Sequence, residues 1–241
     1  MATLTLDTHG PSCGPPARAV LVTCVLTVFA WVLLAACLNE SQLNDSLEQF
    51  VWGQGFEWGY WKHPPVTTWL AWASFQLFGV HALTTYALGA ALFAGTLVVT
   101  TRIAQRLLPA QAAAWVPLLL TLHYGFTRRA QLYNHNTVVV FFVALAVLAL
   151  LVALQSRQLR DWAWFGAAAG LAVLSKYQAV LPLACALAVA AWLGQLRQSW
   201  RGLSLAVLVG LAVLAPHLAW LVRHDFASIG YALHYVDGSD M

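Results

Sequence analysis

Apolar residues fall along this chain in long blocks separated by short polar junctions, without the period-two alternation of a half-buried strand. The blocks cover 19–38, 66–80, 82–101, 111–127, 136–155, 161–175, 178–194 and 202–220, and all are rich in Leu, Ala and Val. That pattern predicts membrane helices rather than the strands of a barrel. The first block is long enough to span, at about 20 residues. It follows a polar, Pro-rich segment, 1–17, so it reads as a retained first helix and not as a cleaved leader. Block 66–80 begins after Pro64-Pro65 and is short for a span, which predicts an interfacial or re-entrant helix and leaves about seven full crossings. A tilted full span is the alternative, and it would place Arg102 and Arg106 on the opposite side.

Composition makes lipid the solvent. Of 241 residues, 61% are hydrophobic and 9% charged, where a soluble domain carries about 25% charged residues. The expected class is therefore an all-α, polytopic membrane helical bundle. A net charge of +3 without any basic run excludes a nucleic-acid partner. The four cysteines show neither a zinc spacing nor a disulfide framework.

Charge placement sets an orientation. Arg18, Arg102, Arg106, Arg157, Arg160, Arg197 and Arg201 mark one set of junctions, whereas Glu40, Asp45, Glu48, Glu57, Asp225, Asp237 and Asp240 fall on the other. The positive-inside rule puts the arginines in the cytoplasm. It predicts a cytoplasmic tail, 1–18, a transmembrane domain, 19–241, and a first extracytoplasmic loop, 39–65. With this topology four polar clusters converge on the outer face: 39–63, 128–136, 175–177 and 217–237. Convergence of that kind suggests a site opening outward.

Within the clusters, 43–52 predicts a juxtamembrane amphipathic helix with Asn44 as N-cap and Leu47, Phe50 and Val51 at helical spacing. Asp45 sits at its start and suits a general base for a hydroxyl, although an acid there also satisfies the helix dipole. Lys62 and His63 precede two prolines that open the next helix, a setting that suits an anion such as phosphate. Trp58, Tyr60 and Trp61 can stack on a sugar or anchor the loop among headgroups. Arg128 and Arg129 are outer-side cations. Asn136 is a candidate cap, and Lys176 either snorkels from a helix end or contacts phosphate. His217 and His224 lack the spacing of a metal site, so no metal ligand is assigned.

Four segments, taken in order, resemble glycosyltransferase family 39, the membrane-embedded GT-C enzymes that include protein O-mannosyltransferases and lipid A aminoarabinose transferases. Asp45 stands upstream of Trp58-Gly59-Tyr60-Trp61-Lys62-His63-Pro64-Pro65, Asn134-His135-Asn136 takes the place of a second loop motif, and Gly170–Tyr177 and Pro216–Phe226 match two later segments. The family places acids where this chain has Lys62 and Asn136. The resemblance implies a GT-C-type bundle, shorter here than in family members and so expected to be a truncated, N-terminal part. It implies sugar transfer from a polyprenyl-phosphate donor to a lipid, glycan or protein acceptor on the extracytoplasmic face of a bacterial inner membrane.

On that reading Asp45, with Glu48 and Asn136, is catalytic. His63, Lys62, Lys176, Arg128 and Arg129 hold the donor phosphate, and Trp58, Tyr60, Trp61, Tyr177 and His217 contact sugar or lipid. No cofactor is assigned, and a divalent cation is admitted. The competing reading is a non-catalytic protein that binds or transports a polyprenyl-phosphate carrier.

Overall fold

The computed structural model describes residues 15–38, 44–123 and 132–237. Among these the chain forms helices α1 (Pro15–Leu38), α2 (Asn44–Trp52), α3 (Val66–Phe78), α4 (Ala82–Leu107), α5 (Ala110–Leu122), α6 (His135–Ser156), α7 (Leu159–Ser175), α8 (Val180–Trp192), α9 (Trp200–Arg223) and α10 (Ala227–Asp237), with a 3-10 turn at Tyr177–Ala179 before α8. No strand occurs among the described residues, as expected where backbone groups must be satisfied within each segment.

Arg18–Leu38, Ala82–Leu107, His135–Ser156 and Trp200–Arg223 are long and apolar enough to cross a membrane. α5, α7 and α8 are shorter, at 13, 17 and 13 residues. α4 joins two apolar clusters. On one side Tyr86, Ala90, Phe93 and Leu97 pack against Cys24, Val28 and Val32 of α1. On the other, Leu92 joins the larger core of Val138, Phe142 and Ala146 from α6 and Trp162, Phe165 and Ala172 from α7.

The ends of the bundle differ chemically. Arg106 at the end of α4 hydrogen-bonds Gln155 at the end of α6, and Arg157 donates to the Gln195 carbonyl at 3.1 Å. The arginine junctions therefore gather at one end. α4 runs parallel to α6, because Gly95 also lies against Phe141 further up. A helix of 26 residues rises about 39 Å, so α4 starts at the opposite end, where α6 begins. α3 starts there too: the Tyr133 hydroxyl, just before α6, donates to the Thr67 carbonyl. The chain thus leaves and rejoins the same end through α3, the geometry expected of a helix that does not cross.

Helix packing depends on small residues. A Cβ on Gly166 of α7 would stand 2.2 Å from the Ala206 carbonyl oxygen of α9, and one on Gly202 would stand 2.3 Å from the Trp162 ring. Close backbone approach of this kind holds helices together where lipid removes the hydrophobic drive. Gly166→Leu should force α7 and α9 apart and destabilise the bundle by about 1–3 kcal/mol. Gly230→Ala, where the added carbon meets nothing within 4 Å, should leave thermal unfolding in detergent unchanged or slightly raised. Equal unfolding temperatures for Gly166→Leu and the parent would contradict the close-packing account.

Candidate active site

The end of the bundle opposite the arginines is built by three helix termini and one loop. Asn134 ends an extended stretch and caps α6: its side-chain oxygen accepts from the backbone N–H groups of Asn136 and Thr137, both at 3.0 Å. The cap is Asn134 and not Asn136, a correction with a consequence. Asn136, one position inside the helix, keeps its side chain for other work, and its Oδ1 accepts from Lys176 Nζ at 2.8 Å. The same Asn134 amide donates to Asp45 Oδ2 at 3.2 Å, which orients the exposed carboxylate at the start of α2.

Beneath these groups lies a buried polar hub. Gln49 is fully buried. Its amide nitrogen meets His135 Nε2 at 2.9 Å, and its oxygen accepts from the Thr68 hydroxyl at 2.9 Å. His135 Nδ1 lies 3.3 Å from the Ser175 carbonyl, which can only accept. The proton therefore sits on Nδ1, and Nε2 accepts from Gln49. One imidazole ties α2, α3, α6 and α7 together beside Asp45, Asn136 and Lys176. The His63 ring packs against it at 3.9 Å between centroids.

The expected helix 44–52 forms, and the burial adds which way it faces: Ser46 and Gln49 are buried, Phe50 packs against the core, and Leu47 and Val51 are more than half exposed. An inward polar face is tolerated where its groups are paired, as the Gln49 amide is with His135 and Thr68.

A cavity of ≈ 290 Å³ opens on this hub, lined by Asp45, Lys62, His63, Pro64, Asn136, Lys176, Tyr177, Gln178, Tyr231 and Ala232. Lys62 reaches Glu48 at 2.6 Å and lies 5.4 Å from the Tyr231 ring centre. Burial draws the Lys62 pKa down, and the Glu48 carboxylate more than offsets this, so it lies above the ordinary value. Burial, reinforced by the charges of Lys62 and Lys176, lowers His63 to about 4. His63 is thus uncharged at neutral pH and enters the site as a hydrogen-bonding ring, while the lysines carry the positive charge.

Six of the thirteen expected residues meet here. Asp45, Asn136, Lys62, His63, Lys176 and Tyr177 line the cavity. Glu48 is held on Lys62 and is not part of the lining. His217 is buried behind the wall: its Nδ1 donates to the Trp58 carbonyl at 2.9 Å, and its Nε2 accepts from the Tyr177 hydroxyl at 2.8 Å. Ser228 of α10 completes that chain at 2.6 Å from the Tyr177 hydroxyl.

The aromatic loop is pinned by these and similar contacts. Tyr60 is buried, stacks on Trp52 and donates to the Gly55 carbonyl, Trp58 packs edge-on against Trp69, and Trp61 meets Tyr231. Gly59 lets the loop pass Trp220, whose ring a Cβ would meet at 2.3 Å. Arg128 and Arg129 lie outside the described residues. Among those described, no three His, Cys, Asp or Glu side chains gather to hold a metal ion. Gln178, Tyr231, Gln49 and His135 were not singled out from the sequence. Only His135, inside a matched motif, carried a signal.

Residues 62–220 match the family described as dolichyl-phosphate-mannose-protein mannosyltransferase. The chain belongs to that family. The matched stretch contains Lys62–Pro65, Asn134–Asn136, Gly170–Tyr177 and Pro216–Trp220 of the resembling segments, whereas Asp45, Trp58–Trp61 and His224–Phe226 lie outside it. The chain is similar to the lipid A galacturonosyltransferase RgtD of Rhizobium johnstonii, at 23% identity over 94% of this chain and 48% of the relative. It is also similar to the lipopolysaccharide core galacturonosyltransferase RgtA of the same organism, at 25% identity over 87% of this chain and 43% of that relative. The chain therefore spans about half the length of these curated relatives. No solved structure matches.

Two measurements test this geometry. Gln49→Leu keeps the volume but leaves the Thr68 hydroxyl and His135 Nε2 without their partner, so unfolding in detergent should reveal a loss of about 1–3 kcal/mol. Unchanged stability would mean the hub is not formed. A histidine that folds with a lowered pKa releases a proton on folding, so between pH 6.5 and about 4 the unfolded chain binds more protons. The contribution of His63 to stability is then complete above pH 6.5 and is lost as the pH falls through that window. Melting temperatures measured from pH 7 to pH 4 should fall less steeply in His63→Gln than in the parent.

Proposed function

We propose that this chain forms the donor-binding and catalytic end of a membrane glycosyltransferase that takes a sugar from a polyprenyl-phosphate carrier. The observation that carries the reading is the junction of two unlike spaces at Gln178. The polar cavity ends there, and so does an apolar groove of ≈ 390 Å³ lined by Thr100, Ile103, Val139, Val143, Val147 and Pro182, among others. An amphipathic donor fits that junction: a prenyl chain along the groove between α4, α6 and α8, and a phosphate at the polar end beside Lys176.

The chemistry follows from the placement. A hydroxyl of the acceptor attacks the anomeric carbon of the sugar. Asp45, held by Asn134 at the rim, takes the hydroxyl proton as the new C–O bond forms. The bond from the anomeric carbon to the phosphate oxygen breaks, and polyprenyl phosphate leaves with its charge stabilised by Lys176 and a hydrogen bond from His63. A phosphate also favours the protonated form of His63, so donor binding couples to proton uptake. Glu48 is a weaker candidate for the base because Lys62 already occupies it, and Asn136 serves by positioning Lys176.

The site faces the extracytoplasmic side of a bacterial inner membrane in this reading, since the arginines mark the cytoplasmic end. The family resemblance brings a lipid, glycan or protein acceptor. The names of the two relatives narrow this toward a lipid A or lipopolysaccharide acceptor and bring galacturonic acid among the donor sugars.

In membranes holding the full chain, Asp45→Asn should lower transfer by about 10²–10⁴-fold while leaving saturable binding of polyprenyl phosphate intact. Lys176→Ala should instead weaken that binding, by about tenfold or more. Saturable binding without turnover in the parent chain would favour a lipid-carrier-binding protein, and normal transfer by Asp45→Asn would remove the carboxylate from its assigned role.

A further inference from the structure

The donor reading gives one lysine a task and leaves another without one. Gln178 lines both the cavity and the apolar groove, and Lys176 stands two residues before it on the cavity side, so the phosphate, directly joined to the prenyl chain, belongs beside them. The sugar follows the phosphate into the rest of the cavity, toward Asp45, Lys62 and Tyr231. Lys62, paired with Glu48 beside the Tyr231 ring, is not needed by a phosphodiester that carries a single charge and already meets Lys176. An ammonium placed where only hydroxyls arrive is poor use of a charge that burial penalises.

Lys62 already shows which group it accepts. Glu48 presents a carboxylate to its Nζ at 2.6 Å, with the two side chains only 21% and 33% exposed. An ammonium has three donors, so a second carboxylate can bind from the cavity side without displacing Glu48. The Tyr231 ring beside Nζ gives that pocket an aromatic wall suited to the face of a sugar. Asp45 repels an anion nearby, which confines a sugar carboxylate to the Lys62 side and leaves the Asp45 side for the acceptor hydroxyl.

From this geometry we infer that Lys62 is a specificity-determining residue that receives the carboxylate of a hexuronic acid, so the cavity prefers a polyprenyl-phosphate uronate over the matching neutral hexose. The inference rests on the donor reading above and adds to it the residue that selects the sugar. Glu48 holds Lys62 extended and moderates its charge. Removing Glu48 therefore sharpens the preference, whereas removing Lys62 abolishes it.

The test measures binding to the purified full chain in detergent, using three probes: polyprenyl phosphate, polyprenyl-phosphate galactose and polyprenyl-phosphate galacturonate. The parent should bind the galacturonate form about tenfold more tightly than the galactose form, the scale of one charge-assisted hydrogen bond. Lys62→Gln should bring that ratio close to one, polyprenyl phosphate serving in each variant as the reference for the bare carrier. Glu48→Gln should widen the ratio, and it serves as an independent check if Lys62→Gln does not fold. Equal affinities for the two sugar donors in the parent, or a ratio untouched by both substitutions, overturns the inference while polyprenyl phosphate still binds. Failure to bind any of the three probes removes the donor reading, and the inference with it.

Discussion

The contact between Gln49 and His135, 2.9 Å long and sealed from solvent, is the joint on which the polar end of this molecule depends. Each partner belongs to a segment that would otherwise have no fixed relation to the other. Gln49 is one turn beyond Asp45 on a short helix outside the main bundle. His135 opens α6, between the asparagine that orients Asp45 and the asparagine that holds Lys176. Because the imidazole also meets the Ser175 carbonyl and the His63 ring, four elements share one set of hydrogen bonds. In a low-dielectric surrounding such a network is strong when complete and unfavourable when broken. Its members therefore have little freedom to shift independently.

Lipid explains why this joint must lie at one end. Within the bundle, helices are held by close backbone approach at Gly166 and by apolar side chains, and unpaired polar chemistry there would be unfavourable. Polar residues collect where the helices stop, and two opposite ends result. One carries arginines bonded to neighbouring helix ends at Gln155 and Gln195. The other carries lysines, histidines, asparagines and an acid around a cavity. α3 belongs wholly to this second end, and that is why its loop can deliver Lys62 and His63 to the same place as the termini of α6 and α7.

Much of this was legible in the chain. Apolar block lengths gave the helices, arginine positions separated the two ends, and the polar clusters pointed to one site with Asp45, His63, Asn136 and Lys176 in it. What the chain concealed was the direction in which polar residues point. Leu47 and Val51 look like an inward face by the rules of water-soluble helices. At a membrane surface apolar groups can instead face outward, and Gln49 turns in. A similar ambiguity assigned the cap to Asn136, since Asn134 and Asn136 are equally good cap residues and only the path of the backbone before α6 distinguishes them. His217 read as a ligand-facing histidine, yet it supports the aromatic loop through the Trp58 carbonyl. Gln178 and Tyr231 carry no motif, and only the fold brings them to the cavity.

The charges in the cavity are each held by a different partner, and this matters more than their sum. Lys176 is bonded to Asn136, His63 packs on the His135 ring, and Lys62 keeps its own carboxylate in Glu48. A histidine lowered to about 4 between two lysines adds no charge to an empty site, yet it can take a proton when an anion arrives. The resting site thus avoids three crowded cations and still has a third available when a phosphate offsets the repulsion. On the proposed donor reading, this arrangement suits a carrier that leaves as an anion after each transfer: His63 would lose its proton as the phosphate departs, weakening the hold on the spent carrier.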